Sequence, residues 1–331
     1  MWYTKFGPSG DVVLSSRIRL ARNIADIPFV SRMNKEHESQ VINRCKAAMP
    51  EMTYIDFSSM TKTEILALSE SHLVSPEMVE NKRQCGILTN SDCSECIMLN
   101  EEDHIRIQTM APGLNLELCL TNANRLDDRL ESTVDYGYHK DFGYLTACPT
   151  NVGTGMRASV MVHLPALTKL GKMESIIRSL SKLGITVRGF YGEGSKAFGD
   201  IYQISNQITL GVSEEDTIDK LTQVIGDIIE KERSLGQKLY SHDKFTFEDK
   251  IMRSYGILTN ARILTSGETV NLISEVRWGI NLGIIKDIDL ETMSEVFYDV
   301  LPATITKNHN LTTALERDLK RAELIGEKLN S

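Results

Sequence analysis

A change of sequence pattern near Ser213 limits the possible folds of this chain more than any other feature. Before it, short runs rich in β-branched residues alternate with helical patterns at residues 114–135 and 167–183. The predicted strands cover residues 12–16, 86–90, 96–100, 143–147, 158–164, 186–191 and 201–211. Their irregular spacing disfavours a doubly wound parallel sheet. It predicts an α+β fold with a mostly antiparallel sheet flanked by helices.

After Ser213 the pattern is helical. Residues 213–216, SEED, resemble a capping box that begins a helix. Helical spacing continues through Ile218, Leu221, Ile225 and either Ile228 or Ile229, and further helices are predicted at 245–258, 266–282, 289–300 and 311–329. We therefore divide the chain into a first domain at 1–236 and an all-helical C-terminal domain at 237–331, joined within residues 234–243.

The charge balance bears on the partners of the protein. The 37 Lys and Arg residues are outnumbered by 45 Asp and Glu residues, and the net charge is -8. This acidity argues against direct binding of nucleic acid or of a membrane surface, which needs a positive field. No apolar run has the length of a membrane span and no signal peptide is apparent, so we expect a cytoplasmic protein.

The cysteines raise the question of a metal site. Cys93 and Cys96 form a C-x-x-C pair with Cys85 upstream, but no second pair follows to complete four zinc ligands. A polar turn leading into a strand with small buried thiols explains the pair better. We predict no protein metal site.

Arginines recur at the ends of predicted strands. Arg17 and Arg19 lie two residues apart, hence on one strand face, and the others are Arg106, Arg157 and Arg188. Each could pair with a local carboxylate. Together they also suit a triphosphate, because guanidinium groups bind phosphate oxygens in a bidentate manner. The phosphate-binding loops GxxxxGK[ST] and GxGxxG and the kinase motifs HRD and DFG are absent from the sequence.

The segment NEEDHIRI, residues 100–107, follows an apolar run and is interpreted as the end of a strand. Alternation then predicts Glu102, His104 and Arg106 on one face, with Glu101 and Asp103 on the other. An acid, an imidazole and a guanidinium would share one surface.

Five segments in this order carry a family resemblance: SSRIRLARN, NEEDHIRI, CPTNVGTGMRASV, RGFYGEG and ISNQITLG. Over residues 11–235 the chain resembles the catalytic domain of the ATP:guanido phosphotransferases (phosphagen kinases), and within them the bacterial protein-arginine kinases most closely. The resemblance implies the sheet-and-helix fold shared by phosphagen kinases and glutamine synthetase. It also implies ATP and Mg²⁺ as cofactors.

The resemblance implies roles for individual residues. Five arginines would clamp the ATP phosphates, and Glu102 with Glu193 would grip the acceptor guanidinium, Glu102 being the first choice of base. Cys148 would position the substrate without acting as a covalent nucleophile, and Asp103 would act through water around Mg²⁺. The implied ATP-binding residues are Ser15, Ser16, Arg17, Ile18, Arg19, His72, Arg106, Arg157, Ala158, Ser159, Val160, Met161, Arg188, Gly189, Phe190, Tyr191, Gly192 and Glu193.

The acceptor is expected to be an arginine side chain of a protein. Small-molecule guanidino kinases carry an N-terminal helical domain that closes over the acceptor, and SSRIRLARN begins here at residue 15, leaving no room for one. A kinase for free arginine, or a non-catalytic adaptor that binds phosphoarginine, are the alternatives. The presence of the arginines and both glutamates disfavours the adaptor.

The last predicted helix suggests a regulatory site. Arg317 and Arg321 are predicted on the face opposite Leu315, Leu319 and Ala322. A solvated charged face would explain this pattern. RDLKRA also resembles the RDxxRA motif with which protein-arginine kinases bind phosphoarginine as an allosteric activator, which implies a site at Arg317, Asp318, Arg321 and Ala322.

The resemblance also implies partners and a cellular role. It implies a homodimer formed through the helical domain, autophosphorylation, a small zinc-binding activator protein and a heat-shock repressor. Protein substrates with exposed arginine would be marked for a Clp unfoldase and protease during the stress response.

Overall fold

The computed structural model describes residues 1–189 and 198–330. Within these residues the strands are β1 Val13–Arg22, β2 Thr53–Asp56, β3 Gly86–Thr89, β4 Glu95–Leu99, β5 Ile105–Pro112, β6 Tyr138–His139, β7 Gly143–Tyr144, β8 Met156–His163, β9 Ile185–Gly189 and β10 Ile201–Asn206. The helices are α1 Lys35–Ala48, α2 Lys62–Glu70, α3 Leu116–Glu131, α4 Pro165–Lys169, α5 Met173–Lys182, α6 Glu214–His242, α7 Lys244–Asn260, α8 Ser266–Asn281, α9 Leu290–Asp299, α10 Pro302–His309 and α11 Ala314–Leu329. None of the described helices combines the length and the apolar character needed to cross a membrane.

The strands form one antiparallel sheet in the order β2-β3-β4-β5-β1-β8-β10-β9, with β6 and β7 in a separate hairpin. The predicted α+β class and antiparallel sheet are therefore confirmed. The central strand β1 lies between β5 and β8. Since opposed residues of an antiparallel pair point to the same face, the register determines which side chains meet.

One face of the sheet is apolar and is covered by helices. It presents Ile18, Leu20, Ile107, Val160 and Ile204, all fully buried. Helix α3 packs on β1 and β5, α5 packs on β9, and α6 packs on β8 and β10. This face holds the main hydrophobic core and leaves the opposite face available for polar chemistry.

The C-terminal helices have a core of their own, built from α7 to α11. Helix α6 contributes to both cores, because Ile218 to Ile229 pack against the sheet while Leu235 and Leu239 pack against the helical unit. The helix continues through most of the predicted joint and ends at His242, with α7 beginning at Lys244.

Several predicted helix bounds change in the structure. The predicted helix at 167–183 is two helices, α4 and α5, separated at Gly171, which has φ +64°. Helix α10 was not predicted, although Pro302 at its first turn is a typical start signal. Ser213 caps α6 as predicted, and its side chain accepts a hydrogen bond from Asp216 N at 3.0 Å.

Met161, Ala166 and Ile201 of the sheet unit pack into the core of the C-terminal helices, and polar contacts add to this packing. The carboxylate of Glu70, the last residue of α2, accepts hydrogen bonds from Ala303 N (2.8 Å) and Thr304 N (2.7 Å) at the start of α10. Arg277 of α8 donates to Gly10 O at 2.5 Å. An acidic side chain at a helix N-terminus is stabilising, so Glu70 anchors α2 to the helical unit.

Candidate active site

The polar face of the sheet collects the predicted arginines. Arg19 is opposite Arg157, Arg17 is opposite Ser159, Arg106 is opposite Ala21, and Arg188 is opposite Gln203. The antiparallel register therefore places Arg17, Arg19, Arg106, Arg157 and Arg188 on one face although they come from four strands.

These side chains line a single cavity of about 1200 Å³. Besides the five arginines, its lining includes Glu101, Glu102, His72, Cys148 and Gln203. Every predicted phosphate-clamping arginine thus shares one cavity with the predicted base and the predicted thiol.

The arginines are crowded by like charge. Burial, followed by the charges of Arg157 and Arg106, lowers the pKa of Arg17 to about 10. Burial and the same kind of neighbours lower the pKa of Arg19 well below its ordinary value, and its Nε has no hydrogen-bond partner among the described residues. Such a cluster favours binding of a polyanion that would neutralise it.

The predicted strand at residues 100–104 is wrong, because β4 ends at Leu99 and a turn leads into β5 at Ile105. Asn100 has φ +60°, a left-handed conformation that ends the strand. His104 does not share a surface with Glu102: it is buried, and its Nδ1 accepts a hydrogen bond from Ile24 N at 3.0 Å.

The turn brings two glutamates to one guanidinium. Arg106 Nη2 lies 2.9 Å from Glu101 Oε2 and 2.9 Å from Glu102 Oε2. Glu101 is buried and also accepts from Ser75 Oγ at 2.6 Å, whereas Glu102 is more exposed to the cavity. Burial raises the pKa of Glu102, which makes it a stronger base than an ordinary glutamate.

Asp103 is placed differently from the interpretation based on the resemblance. Its side chain is fully buried, and Oδ1 accepts hydrogen bonds from Asn23 Nδ2 and Ala147 N, both at 2.6 Å. Within the described residues Oδ2 is buried without a hydrogen-bond partner. Asp103 therefore supports the surrounding loops, and nothing in its position presents it to the cavity.

His72 lines the cavity just after the end of α2. Its φ is +61°, and its carbonyl oxygen accepts from Gln108 Nε2 at 2.7 Å. Burial and the nearby charges of Arg17 and Arg19 lower the pKa of His72 to about 3, so its ring is neutral at physiological pH. A neutral aromatic ring beside the arginines suits contact with a nucleotide base or sugar.

Cys148 lies on a loop at the rim of the same cavity. Its Sγ is 3.0 Å from Thr150 Oγ1, and Thr146 Oγ1 donates to its carbonyl oxygen at 2.8 Å. Strand β8 begins directly after this loop, at Met156, two residues before the start of the predicted strand at 158–164. Cys148 is partly exposed and, like Glu102, lines the cavity.

Other predicted residues occupy varied positions. Ser15, Ser159 and Met161 lie on the same sheet face as the five arginines, here called the arginine face, and line a small second cavity together with Arg17. The side chains of Ser16, Ile18, Ala158 and Val160 are buried on the other face. Gly189 ends β9. Phe190, Tyr191, Gly192 and the predicted catalytic Glu193 lie outside the described residues.

Sequence reasoning missed three polar contacts of the site. Arg17 Nη2 donates to Gln203 Oε1 at 3.2 Å, Arg157 Nη2 donates to Ser205 Oγ at 3.2 Å, and Glu101 binds Arg106. Gln203 and Ser205 alternate in the predicted strand at 201–211, and that spacing is the signal that could have placed them beside the arginines.

The alternative of a solvated charged face on the last helix is wrong for Arg321. Leu315 and Leu319 are 57% and 44% exposed, whereas Arg321 is 1% exposed. Arg321 is buried because its guanidinium donates to Val300 O (3.0 Å) and Leu264 O (2.7 Å) and pairs with Asp318 Oδ1 at 2.6 Å. Ala322 is buried beside it, and Arg317 and Asp318 are partly buried.

The C-x-x-C pair is divided between two environments. Cys96 is buried in β4, while Cys93 lies in the preceding turn with φ +63°. Across the part of the chain that the structure describes, no group of three His, Cys, Asp or Glu side chains is arranged to hold a metal ion.

Comparison with known families finds two matches along the chain. The family described as "ATP:guanido phosphotransferase, C-terminal catalytic domain" matches residues 32–235. The family described as "Protein-arginine kinase McsB C-terminal domain" matches residues 244–331. The first match ends within α6 at residue 235, and the second begins at residue 244, just after α6 ends at His242.

Similar proteins cover nearly the whole chain. A protein-arginine kinase from Caldanaerobacter subterraneus subsp. tengcongensis is 45% identical over 329 residues, covering 97% of both chains. One from Bacillus subtilis is 43% identical, covering 99% of this chain and 93% of the relative.

Solved structures share the fold. The crystal structure of lombricine kinase matches with a TM-score of 0.61 and 28% identity over 70% of each chain. The substrate-free duplicated taurocyamine kinase from Schistosoma mansoni matches with a TM-score of 0.60 over 83% of this chain and 47% of that one. Its identity is 22%, so this match indicates the fold alone.

Proposed function

Because the chain belongs to the ATP:guanido phosphotransferases, we propose that it is a protein-arginine kinase that transfers the γ-phosphoryl group of ATP to arginine side chains of proteins. One observation carries the proposal: a single cavity joins the arginine face to Glu102 and Cys148. The five arginines suit the triphosphate of ATP, whereas Glu102 and Cys148 suit a guanidinium acceptor.

Transfer of a phosphoryl group needs positioning and positive charge more than covalent help from the protein. The five arginines hold the phosphates and stabilise the charge that develops on them. An acceptor guanidinium has a pKa above about 12 and so lacks a free lone pair at neutral pH. Glu102, whose pKa is raised by burial, orients the acceptor N–H groups and accepts the proton lost during attack.

The oxygen donors of the cavity fit Mg²⁺ carried by ATP. Mg²⁺ usually keeps several waters and takes one or two protein carboxylates besides phosphate oxygens. Glu101 lines the cavity and would hold the ion through water, while Glu102 serves the acceptor. When bound, Mg²⁺ would neutralise part of the phosphate charge.

Protein arginine is the proposed acceptor in preference to free arginine. Both named relatives above are protein-arginine kinases and cover almost the whole chain. The surface beside the Cys148 loop also exposes Tyr138, Phe142 and Leu210, which suits a polypeptide that flanks the target arginine.

The test is incubation of the protein with Mg-ATP and casein, followed by mass spectrometry under non-acidic conditions, because acid hydrolyses the P–N bond. Phosphoarginine on casein is expected, and Glu193→Ala should abolish it while circular dichroism shows an intact fold. Consumption of ATP with free arginine and none with casein would favour the small-molecule kinase. Unchanged phosphorylation by the variant would refute the catalytic assignment.

Regulation is the second part of the proposal. We place an activating phosphoarginine site at Arg317, Asp318, Arg321 and Ala322. Arg317 and Asp318 would contact the ligand, and buried Arg321, which binds Val300 O and Leu264 O, would hold Asp318 in place. The match to the protein-arginine kinase C-terminal domain supports it, as does the accessible edge formed by Arg317 and Asp318. A guanidinium and a carboxylate together complement the phosphoryl and guanidino groups of the ligand.

By the same resemblance we propose a cytoplasmic homodimer that phosphorylates itself. Its partners would be a small zinc-binding activator, a heat-shock repressor and a Clp unfoldase with its protease, in a stress response. Leu315 and Leu319 are exposed on α11 and support a contact surface on the helical unit.

A further inference from the structure

Asn23 links two loops of the site. It follows the last residue of β1 and is 4% exposed. Its Oδ1 accepts from His104 N at 2.9 Å, and its Nδ2 donates to Asp103 Oδ1 at 2.6 Å and to Leu145 O at 3.0 Å. The side chain therefore contacts both the turn at 100–104 and the segment that leads to Cys148.

The chemistry of these contacts requires an amide. An asparagine side chain has one acceptor oxygen and two N–H donors, and here it serves an N–H group, a carboxylate and a carbonyl. Aspartate at this position would place a second carboxylate against Asp103 and could donate nothing to Leu145 O. A hydrophobic residue would leave buried polar groups without partners, which is costly.

A fourth hydrogen bond closes the link. Ala147 N donates to the same Asp103 oxygen at 2.6 Å, one residue before Cys148. Backbone contact adds to it, because Gly137 N donates to Asn23 O at 2.7 Å. The turn that carries Glu102 and the loop that carries Cys148 are thus held to each other through Asn23 and Asp103.

We propose that Asn23 is a positioning residue that sets the separation of Glu102 and Cys148, and so the grip on the acceptor guanidinium. This inference rests on the acceptor roles proposed above for those two residues. Arg17, Arg19, Arg157 and Arg188 lie on strands held by the sheet ladder itself. Arg106 pairs with Glu101 and Glu102 of the turn, but its own strand β5 is held by the same ladder. We therefore expect the larger effect of Asn23 on the acceptor side and a smaller one on ATP binding.

The test compares the wild-type chain with Asn23→Asp and Asn23→Ser in steady-state assays of ADP release, varying casein and ATP separately. A displacement of about 1 Å at a reacting group can cost about 100-fold in rate. We expect kcat/KM for casein to fall by roughly 10- to 100-fold in Asn23→Asp, with KM for ATP changed less than about threefold. The milder Asn23→Ser should show the same split to a smaller extent, and it keeps the test valid if the aspartate variant fails to fold.

The contrast between the two substrates separates positioning from general destabilisation. A loss of folded protein lowers the rate with casein and with ATP alike and leaves both KM values unchanged, whereas a positioning defect is selective for casein.

Asn206→Asp is the matched control. Asn206 is 7% exposed and also makes three side-chain hydrogen bonds, with Ala158 N (2.8 Å), Met156 O (3.1 Å) and Ile208 O (3.1 Å). It should lower thermal stability without the selective acceptor defect. If Asn23→Asp and Asn206→Asp impaired catalysis with ATP and with casein to the same extent, Asn23 would have only a structural role and the proposal would be refuted. Absence of transfer by the wild-type chain would instead refute the proposed function, and this inference with it.

Discussion

Replacing each of two arginines of one strand by methionine should have different effects on protein stability and on nucleotide binding. Arg17 and Arg22 both belong to β1, but they lie on opposite faces of the sheet. Arg22 is buried and pairs with Asp127 through Nε (3.0 Å) and Nη2 (2.6 Å), and it also donates to Thr154 O at 3.0 Å. Arg17 has two long hydrogen bonds, to Ser159 Oγ at 3.3 Å and Gln203 Oε1 at 3.2 Å, and cationic neighbours.

The magnitudes follow from these surroundings. The lowering of the Arg17 pKa to about 10 corresponds to a charging cost of about 3 kcal/mol, at about 1.4 kcal/mol per pKa unit. Its two hydrogen bonds contribute about 1.5 kcal/mol each at most, given their length. In Arg17→Met the two effects should cancel to within about 1–2 kcal/mol. Arg22→Met leaves Asp127 charged, buried and unpaired, and should cost about 3–5 kcal/mol.

Nucleotide binding should show the reverse order. Loss of one charge-assisted contact to phosphate costs about 1.5–3 kcal/mol, so Arg17→Met should weaken Mg-ATP binding by roughly 10- to 150-fold. The assay is denaturant unfolding of the ligand-free variants, with calorimetric titration of a non-hydrolysable ATP analogue. Equal destabilisation of the ligand-free protein by both substitutions would refute the reasoning, because the arginine face would then be satisfied by the protein itself.

Three further predictions concern the base, the regulatory helix and a buried acid. Glu102→Gln should lower kcat by about 10²–10⁴-fold, measured as the rate of ADP release. The substitution should also remove the acidic limb of the pH–rate profile. In the wild-type chain this limb lies above the range of an ordinary glutamate, because burial raises the pKa of Glu102. Arg317→Ala should remove stimulation by added phosphoarginine and leave ATP affinity unchanged, and an unchanged response would leave this helix face merely solvated. Glu232 is buried and its pKa is raised to about 7, so the native state should lose about 3 kcal/mol as the pH rises from the ordinary glutamate range through 7. Glu232→Gln should flatten this dependence in denaturant unfolding, and an equal slope in the variant would contradict it.

The local part of the site could be predicted from the sequence. Two-residue spacing alone places Arg17 and Arg19 on one face, and the structure agrees. The meeting of Arg106, Arg157 and Arg188 with them depends on the order and register of five strands, which local pattern does not contain. There the ordered motifs of the resemblance carried the prediction, and the register supplies its physical reason.

The turn at residues 100–104 shows why alternation misleads. An apolar strand followed by charged residues at alternate positions is a valid strand pattern. The chain instead turns at Asn100, which has φ +60° and donates through Nδ2 to Glu38 O (3.0 Å) and Gln84 O (2.8 Å). Those partners are distant in sequence, so a strand and a turn could not be distinguished locally.

The last helix illustrates the same limit for burial. Its apolar residues Leu315 and Leu319 are exposed, and Arg321 is buried, because carbonyl oxygens of Val300 and Leu264 accept its hydrogen bonds. An arginine is buried only where such partners exist. The tertiary structure provides them, and helical periodicity carries no information about them.

Because Glu70 caps α10, the helical unit supports the part of the cavity lining that contains Glu70 and His72. The same short segment continues from Glu70 into His72, and both line the large cavity. A fragment truncated after Asp243 would retain every arginine of the sheet, yet the carboxylate of Glu70 would have no helix end to bind. Such a fragment should bind nucleotide more weakly than the full chain. The helical unit is therefore a structural part of the nucleotide site and not a separable addition to the catalytic domain.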